Sequence, residues 1–295
     1  MKLSSLSSAE GPFLGFRRED GVVDLNAEDA SLPRELGALL RSGRPLASLA
    51  EIAARARPTS LHDPAKVRFR PIILDLGKIL CLGVNYVDHA KEASQSKPDH
   101  AVVFGRYLSS FVGHEQPLVR PSVSTHFDYE AEIVAVIGTR AHRAPRERAL
   151  DHVVGYTLMN DGTIRDYQRR TPQWTLGKNF DSSGAIGPEL VTADELPPGA
   201  TGLSIRGVLN GKVMQEANTS EMIFGVADAV AQLSEAMTLE PGDLIAMGTP
   251  GGVGFVRTPP VFLRPGDVFE VIVERIGTLR NGVVAEEDYA TRSRA

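Results

Sequence analysis

The sequence predicts an α+β protein rich in β-structure, and three observations carry that prediction. Apolar runs bounded by Gly, Asn, Asp and Pro recur from Ile79 onward: "KILCLGVNY", "EAEIVAVIG", "HVVGYTLMND", "LSIRGVLNG", "GDLIAMGTP" and "DVFEVIVERIG". Helical periodicity between them is sparse, which argues against the regular strand–helix alternation of a doubly wound parallel sheet. The stretch "DYEAEIVAVIG" has apolar residues on both faces in its later half, as a strand buried on each side requires.

Taken in order, residues 1–70 read as a small N-terminal unit. "GPFLGFRREDGVVDLN" has hairpin character, turning at Asp20-Gly21. "SLPRELGALLRSG" reads as a helix capped near Ser31, with Pro33 in its first turn and Gly43 closing it. The proline-bearing "ARARPTSLHDPAKVRFRPI" connects to a main domain spanning 71–295. There, helices are expected at "YVDHAKEAS", "RERALDHV", "IRDYQRR" and, most clearly, "MIFGVADAVAQLSEAM".

Composition narrows the function classes. A net charge of −5 without a basic stripe gives nucleic acid no footprint. No stretch approaches the ~20 apolar residues of a membrane span, and "MKLSSLSSAEGPFLGF" lacks the apolar core of a signal peptide. The single cysteine, Cys81, forms no disulfide within the chain and reads as a packing residue. These features point to a cytoplasmic protein with a small-molecule ligand.

In "DYEAEIVAVIG", Glu130 and Glu132 share one strand face. Two adjacent buried carboxylates repel each other and require something positive between them. A third carboxylate, Asp161, ends "HVVGYTLMND" next to Gly162. Three hard oxygen donors from two strands suit Mg²⁺ first, with Mn²⁺ or Ca²⁺ also compatible, whereas no His/Cys cluster has zinc spacing. The competing reading is a solvated strand start paired with arginines, since an E-x-E pair alone is common. His89 and Glu92 stand three apart in a short helix and share a face, so the glutamate can orient the imidazole. "NDGTIRDYQRRTPQWTLGKNF" holds Arg165, Gln168 and Lys178 near the only tryptophan, Trp174. "MGTPGGVGF" is a strand followed by a glycine-rich turn that reads either as an anion cradle, built from its amides and Thr249, or simply as a tight turn.

In this order, "NYVDHAKE", "DYEAEIVAVIG", "NDGTIRDYQ", "WTLGKNFDSSGAIGP" and "GDLIAMGTPGGVG" resemble the fumarylacetoacetate hydrolase family, over about Lys78 to Val284. The resemblance implies a mixed β-sandwich roll, a bound divalent ion and a homodimer. It assigns metal ligation to Glu130, Glu132 and Asp161, a catalytic lid dyad to His89 and Glu92, and a catalytic lysine to Lys178. Arg165, Gln168 and Thr249 fall on positions that line the family's substrate site. Two positions depart from relatives: Arg106 replaces a frequent lysine, and Gly251 a longer polar residue. Both are expected where substrate identity is decided.

The implied activity is metal-dependent hydrolysis of a C–C bond in a 1,3-diketo acid of the acylpyruvate or fumarylpyruvate type. It passes through a metal-stabilised enolate with a His–Glu activated water. Decarboxylation, or tautomerisation of a 2-oxo or 2-hydroxy-dienoic acid, needs the same enolate and is the alternative. A non-catalytic binding protein on the same fold is the third. Residues 84–100 are short, polar and proline-bearing, as expected of a mobile lid.

Overall fold

A computed structural model describes residues 1–92 and 98–292 of the chain, with the side chains of 89–91 and 290–292 left aside. Its centre is the strand Ala131–Ile137, buried along its entire length. Ala131, Ile133, Ala135 and Ile137 face one apolar cluster, while Val134 and Val136 face another. The period-two reading of this strand is therefore the one observed.

Ala131–Ile137 lies within a twelve-stranded mixed sheet. Its neighbours are the antiparallel strands Val153–Asn160 and Leu244–Ala246. Leu244–Ala246 continues in parallel to Ile79–Gly83, and Val102–Gly105 forms that edge. On the other side, Val153–Asn160 pairs with Gly184–Thr192, and Gly184–Thr192 pairs with Lys2–Ser8. The hairpin Gly11–Arg18 and Gly21–Asp24 extends the sheet outward; its turn is Glu19-Asp20, one residue earlier than the sequence suggests, and Gly21 already pairs with Arg18.

Both faces of the big sheet are covered. A five-stranded sheet, built around Ser204–Leu209, Val268–Val273 and Gly277–Ala285, packs on one face. With it packs the helix Val226–Ala236, whose Val226, Ala229, Val230 and Leu233 recur at helical spacing and are all buried. The other face is covered by the helices Leu36–Arg41 and Ala47–Ala54, through Leu36, Leu39, Leu49 and Ile52. The result is the β-rich α+β sandwich expected from the sequence.

The expected boundary at residue 70 does not coincide with a break in the sheet or the core. Lys2–Ser8 pairs with Gly184–Thr192, and Leu3 and Leu14 share a cluster with Val134 and Met159. The N-terminal helix also starts later than its sequence suggests. It spans Leu36–Arg41 after Glu35, while the Ser31 hydroxyl binds Asp29 instead of capping. Asp29 offers Ser31 a closer partner than a helix start beyond Pro33. "ASLAEIAA", not anticipated as a helix, forms one because its apolar side has a sheet face to cover. "RERALDHV" is helical but of the tighter 3₁₀ type.

No helix among the described residues is long and apolar enough to cross a membrane. The stretch expected to act as a lid lies partly outside the described residues, which omit 93–97.

Candidate metal centre

Strand register brings the three predicted ligands together. Glu132 stands opposite Met159 and Ala131 opposite Asn160, so Asp161 falls across from Glu130. The Asp161 amide donates to the Glu130 carbonyl at 2.9 Å. All three carboxylates therefore project from the same face of two adjacent strands. One oxygen from each lies within 4.8 Å of the others, and exposure is 5% for Glu130, 1% for Glu132 and 0% for Asp161. The solvated strand start considered above is excluded by this burial. Gly162 permits the chain to leave the strand here, because a Cβ would lie 1.9 Å from the Ser183 carbonyl oxygen.

Buried carboxylates are stable only when compensated, and the compensation is visible. The Lys178 ammonium donates to Glu130 Oε2 at 2.7 Å and to Asp161 Oδ2 at 2.5 Å. Burial disfavours its charge, yet Asp161 and Glu130 outweigh burial and hold its pKa above the ordinary lysine value. Arg106 Nη1 donates to Asp161 Oδ1 at 2.6 Å. Arg165 Nε donates to Asp128 Oδ2 at 2.8 Å, and its Nη2 lies 2.7 Å from Glu130 Oε1. Glu132 accepts the Gly248 amide at 3.0 Å. Burial pushes the Glu132 carboxyl well above its ordinary pKa, and Asp161 and Glu130 push it further.

The charge balance bears on what the centre can bind. Four buried carboxylates (Asp128, Glu130, Glu132 and Asp161) face three buried cations (Arg106, Arg165 and Lys178), so that with all four ionised, as metal ligation requires, one negative charge is in excess. Asp128, Glu130 and Asp161 each pair with lysine or arginine. Glu132 makes no such pair among the described residues, so an oxygen-rich group with surplus negative charge is left facing a cavity. The donors fit a hard divalent ion, which would turn the excess from −1 to +1 and make the pocket attractive to an anion. Glu130, Glu132 and Asp161 would hold it, supplying a Lewis acid beside the pocket.

The cavity measures about 250 Å³. Glu130, Glu132, Lys178, Arg165, Gln168 and Thr249 line it, so six of the predicted site residues converge on one space. Part of its lining is aromatic. Trp174 packs edge-to-face on Phe104, and Phe104 carries the Lys178 ammonium 4.9 Å from its ring centre. Trp174 fits because residue 83 is glycine, where a Cβ would stand 2.4 Å from the indole.

Other sequence expectations are redirected. Four amides of the glycine-rich turn are already bound to the protein's own carboxylates. Gly248 serves Glu132, Gly252 serves Glu92, and Gly254 and Phe255 serve Asp128. Thr249 donates its hydroxyl to the Ala131 carbonyl and accepts from Gln215. Arg106, expected where substrate identity is decided, is 3% exposed behind Asp161, anchored by Ser110 and Ser183 and stacked on Phe111. Gly251 sits against Glu92, whose carboxylate would be 3.1 Å from a Cβ placed there. The side chain of His89 lies outside the described residues, although its helix, Val87–Glu92, is present.

Two participants went unassigned in the sequence. Asp128 shares the strand parity of Glu130 and Glu132 and was legible in "DYEAEIVAVIG". It fastens Arg165 to the turn at Gly254. Gln215, which ties Ala131 to Thr249 and Pro250, comes from the second sheet and leaves no local signal.

Comparison with known proteins places this geometry. Residues 78–284 match the family described as fumarylacetoacetate (FAA) hydrolase C-terminal. Oxaloacetate tautomerase fahd2, mitochondrial, of Xenopus laevis is 38% identical, covering 96% of this chain and 90% of its own. The human oxaloacetate tautomerase FAHD2A, mitochondrial, is also 38% identical, covering 93% and 88%. Among solved structures, a putative HpcE protein from Mycobacterium smegmatis superposes with a TM-score of 0.86 at 32% identity, over 97% of this chain and 100% of that one. A maleylpyruvate hydrolase from Sphingobium sp. SYK-6, solved with manganese(II) and pyruvate, gives 0.78 at 27% identity, over 97% and 99%. On the family match and the near full-length relatives, the chain belongs to the fumarylacetoacetate hydrolase family.

Proposed function

We propose that the protein is a divalent-metal-dependent tautomerase of a short 2-oxo dicarboxylic acid of the oxaloacetate type. The observation that carries the reading is the pocket itself. At about 250 Å³ it sits just below the ~300–1,000 Å³ range of drug-sized sites, and it joins two carboxylates of the triad, Glu130 and Glu132, to the cationic Arg165, Arg169 and Lys178. A substrate of a few carbons with more than one negative charge suits that space. The two tautomerases that are 38% identical over nearly the whole chain support the same chemistry.

Keto–enol exchange moves one proton between carbon and oxygen through an enolate. A bound divalent ion, with Mg²⁺ the first choice and Mn²⁺ the next, would supply the Lewis acidity. Lys178 contributes a fixed positive donor. Its raised pKa keeps it charged at neutral pH, so it can hydrogen-bond the oxygen on which negative charge develops. Arg165, clamped between Asp128 and Glu130, fixes the Glu130 carboxylate and so the pocket floor. Phe104 and Trp174 exclude water from one side.

C–C hydrolysis of an acylpyruvate is the second reading. It is supported by the attachment of the helix Val87–Glu92 to the site turn, where Glu92 accepts the Gly252 amide at 2.9–3.0 Å. That helix carries His89, which would act as the base toward water.

Both readings are tested with one set of assays on Mg²⁺- and Mn²⁺-loaded protein. Decay of enol-oxaloacetate absorbance reports tautomerisation, and loss of acylpyruvate absorbance reports cleavage. Metal-dependent acceleration of enol decay, with slow or absent cleavage, is the expected result. Efficient acylpyruvate cleavage without tautomerisation would overturn the first reading in favour of the second.

A further inference from the structure

Resting on the tautomerase reading, we propose that Arg169 determines specificity, binding the distal carboxylate of the substrate while its 2-oxo acid end lies at the carboxylate triad. Arg169 follows the single helical turn Arg165–Gln168, and its amide donates to the Arg165 carbonyl at 3.1 Å. Four residues on a helix return to the same face, so the Arg169 side chain leaves in the direction of Arg165. Both guanidinium carbons lie 4.4 Å from the centre of the Phe255 ring. The Phe255 amide is held by Asp128, the same carboxylate that holds Arg165. Arg169 is thus stacked on a ring belonging to the site.

The pocket has three cationic side chains, and they are differently committed. Arg165 is engaged by Asp128 and Glu130, and Lys178 by Glu130 and Asp161. Arg169 lines the pocket and has no carboxylate within ion-pair distance among the described residues. Much of the remaining lining, Leu82, Gly83, Val84, Phe104 and Trp174, is without charge. A second substrate carboxylate therefore finds its charged partner on the Arg169 side. An ordinary exposed arginine is a mobile, solvated cation. Stacking on Phe255 restrains this one and leaves its N–H edge available for a bidentate contact.

The test compares two acids of the same chain length, oxaloacetate and 2-oxobutyrate, which differ in the distal carboxylate. Dissociation constants are measured by calorimetry on the Mg²⁺-loaded protein, with oxalate as a control that reaches only the metal end. Wild type is expected to prefer oxaloacetate by about 10- to 100-fold, the worth of one charge-assisted contact. Arg169→Gln should remove most of that preference while oxalate binds as in wild type. Arg169→Lys should restore only part, since it returns the charge without the planar fork. No preference in wild type, a preference that survives in Arg169→Gln, or an equal loss of oxalate affinity would each overturn the proposal. The two readings separate cleanly. A preference lost in Arg169→Gln, in a protein without tautomerase activity, sinks the tautomerase reading alone. Tautomerase activity with a preference insensitive to Arg169 sinks only this inference.

Discussion

The Lys178 ammonium stands 2.5 Å from Asp161 Oδ2, with the lysine side chain 2% exposed and the aspartate fully buried. The same nitrogen reaches Glu130, so one lysine joins two carboxylates from adjacent strands. Such a pair is costly to break, because the surviving partner stays buried without compensation. Lys178→Ala is expected to destabilise the metal-free protein by about 3–5 kcal/mol. Added Mg²⁺ should recover part of the loss by supplying positive charge to the same oxygens. Chemical denaturation with and without Mg²⁺ measures both effects, and a variant as stable as wild type would refute the coupling.

Glu132 differs from its neighbours in lacking a cationic partner among the described residues, and this makes it the most informative ligand to change. Glu132→Gln keeps the size and removes the charge. Thermal shift with increasing Mg²⁺ or Mn²⁺ should show a rise in melting temperature for wild type and little or none for the variant. The metal-free variant should be as stable as wild type or more so, because a buried carboxylate without a cation has been neutralised. Undiminished metal stabilisation in Glu132→Gln would remove it from the ligand set.

Arg106 is expected to matter for stability and metal binding more than for substrate choice. It is bound to Asp161, Ser110 and Ser183, and it does not line the pocket. Arg106→Ala should lower stability by about 3–5 kcal/mol and weaken Mg²⁺ binding, while the ratio of oxaloacetate to 2-oxobutyrate affinity is unchanged. A shift in that ratio would return Arg106 to the substrate-facing role read from its sequence position.

His89 separates the two chemistries. If it activates water, His89→Ala should slow acylpyruvate cleavage by ~10²–10⁴-fold, the usual worth of a general base. Enol-oxaloacetate decay, which needs no attacking water, should fall much less. Equal losses in the two assays would show that His89 serves a step common to both.

A pH effect on stability is expected from His114, remote from these reactions. Burial lowers its pKa below the ordinary imidazole value, against opposing pulls from Glu115 and Glu189. Its Nδ1 accepts the Arg280 amide at 3.0 Å, which requires the neutral ring. The unfolded chain therefore binds the proton more readily. The contribution of His114 is complete above its unfolded pKa of ~6.5 and is lost as pH falls from there through the folded pKa. His114→Gln should flatten the stability profile in that window, as followed by denaturant midpoints from pH 5 to 7.5. An unchanged slope would rule the group out.

The sequence by itself determined the elements whose periodicity reports burial, above all Ala131–Ile137, buried on both faces, and Val226–Ala236, buried along one. It also singled out Glu130, Glu132 and Asp161, because carboxylates at the start of an apolar strand are conspicuous without a structure, although only the family resemblance assigned them to a metal. The hairpin around Asp20 was legible for a local reason, the Asp-Gly step between two apolar runs, although the turn itself is Glu19-Asp20. What only the tertiary structure decided depends on contacts between distant segments. Arg106 reads as a pocket residue until the chain passes behind Asp161. The glycine-rich turn reads as an anion cradle until Glu132, Glu92 and Asp128 arrive to take its amides. The first seventy residues read as separate until Lys2–Ser8 joins the sheet beside Gly184–Thr192. Arg169 has no distinguishing motif, and it becomes a candidate only through the Phe255 ring, 86 positions along the chain. Local periodicity reports which face of an element is buried, whereas the partner of each charge is set by chain crossings that no local pattern encodes.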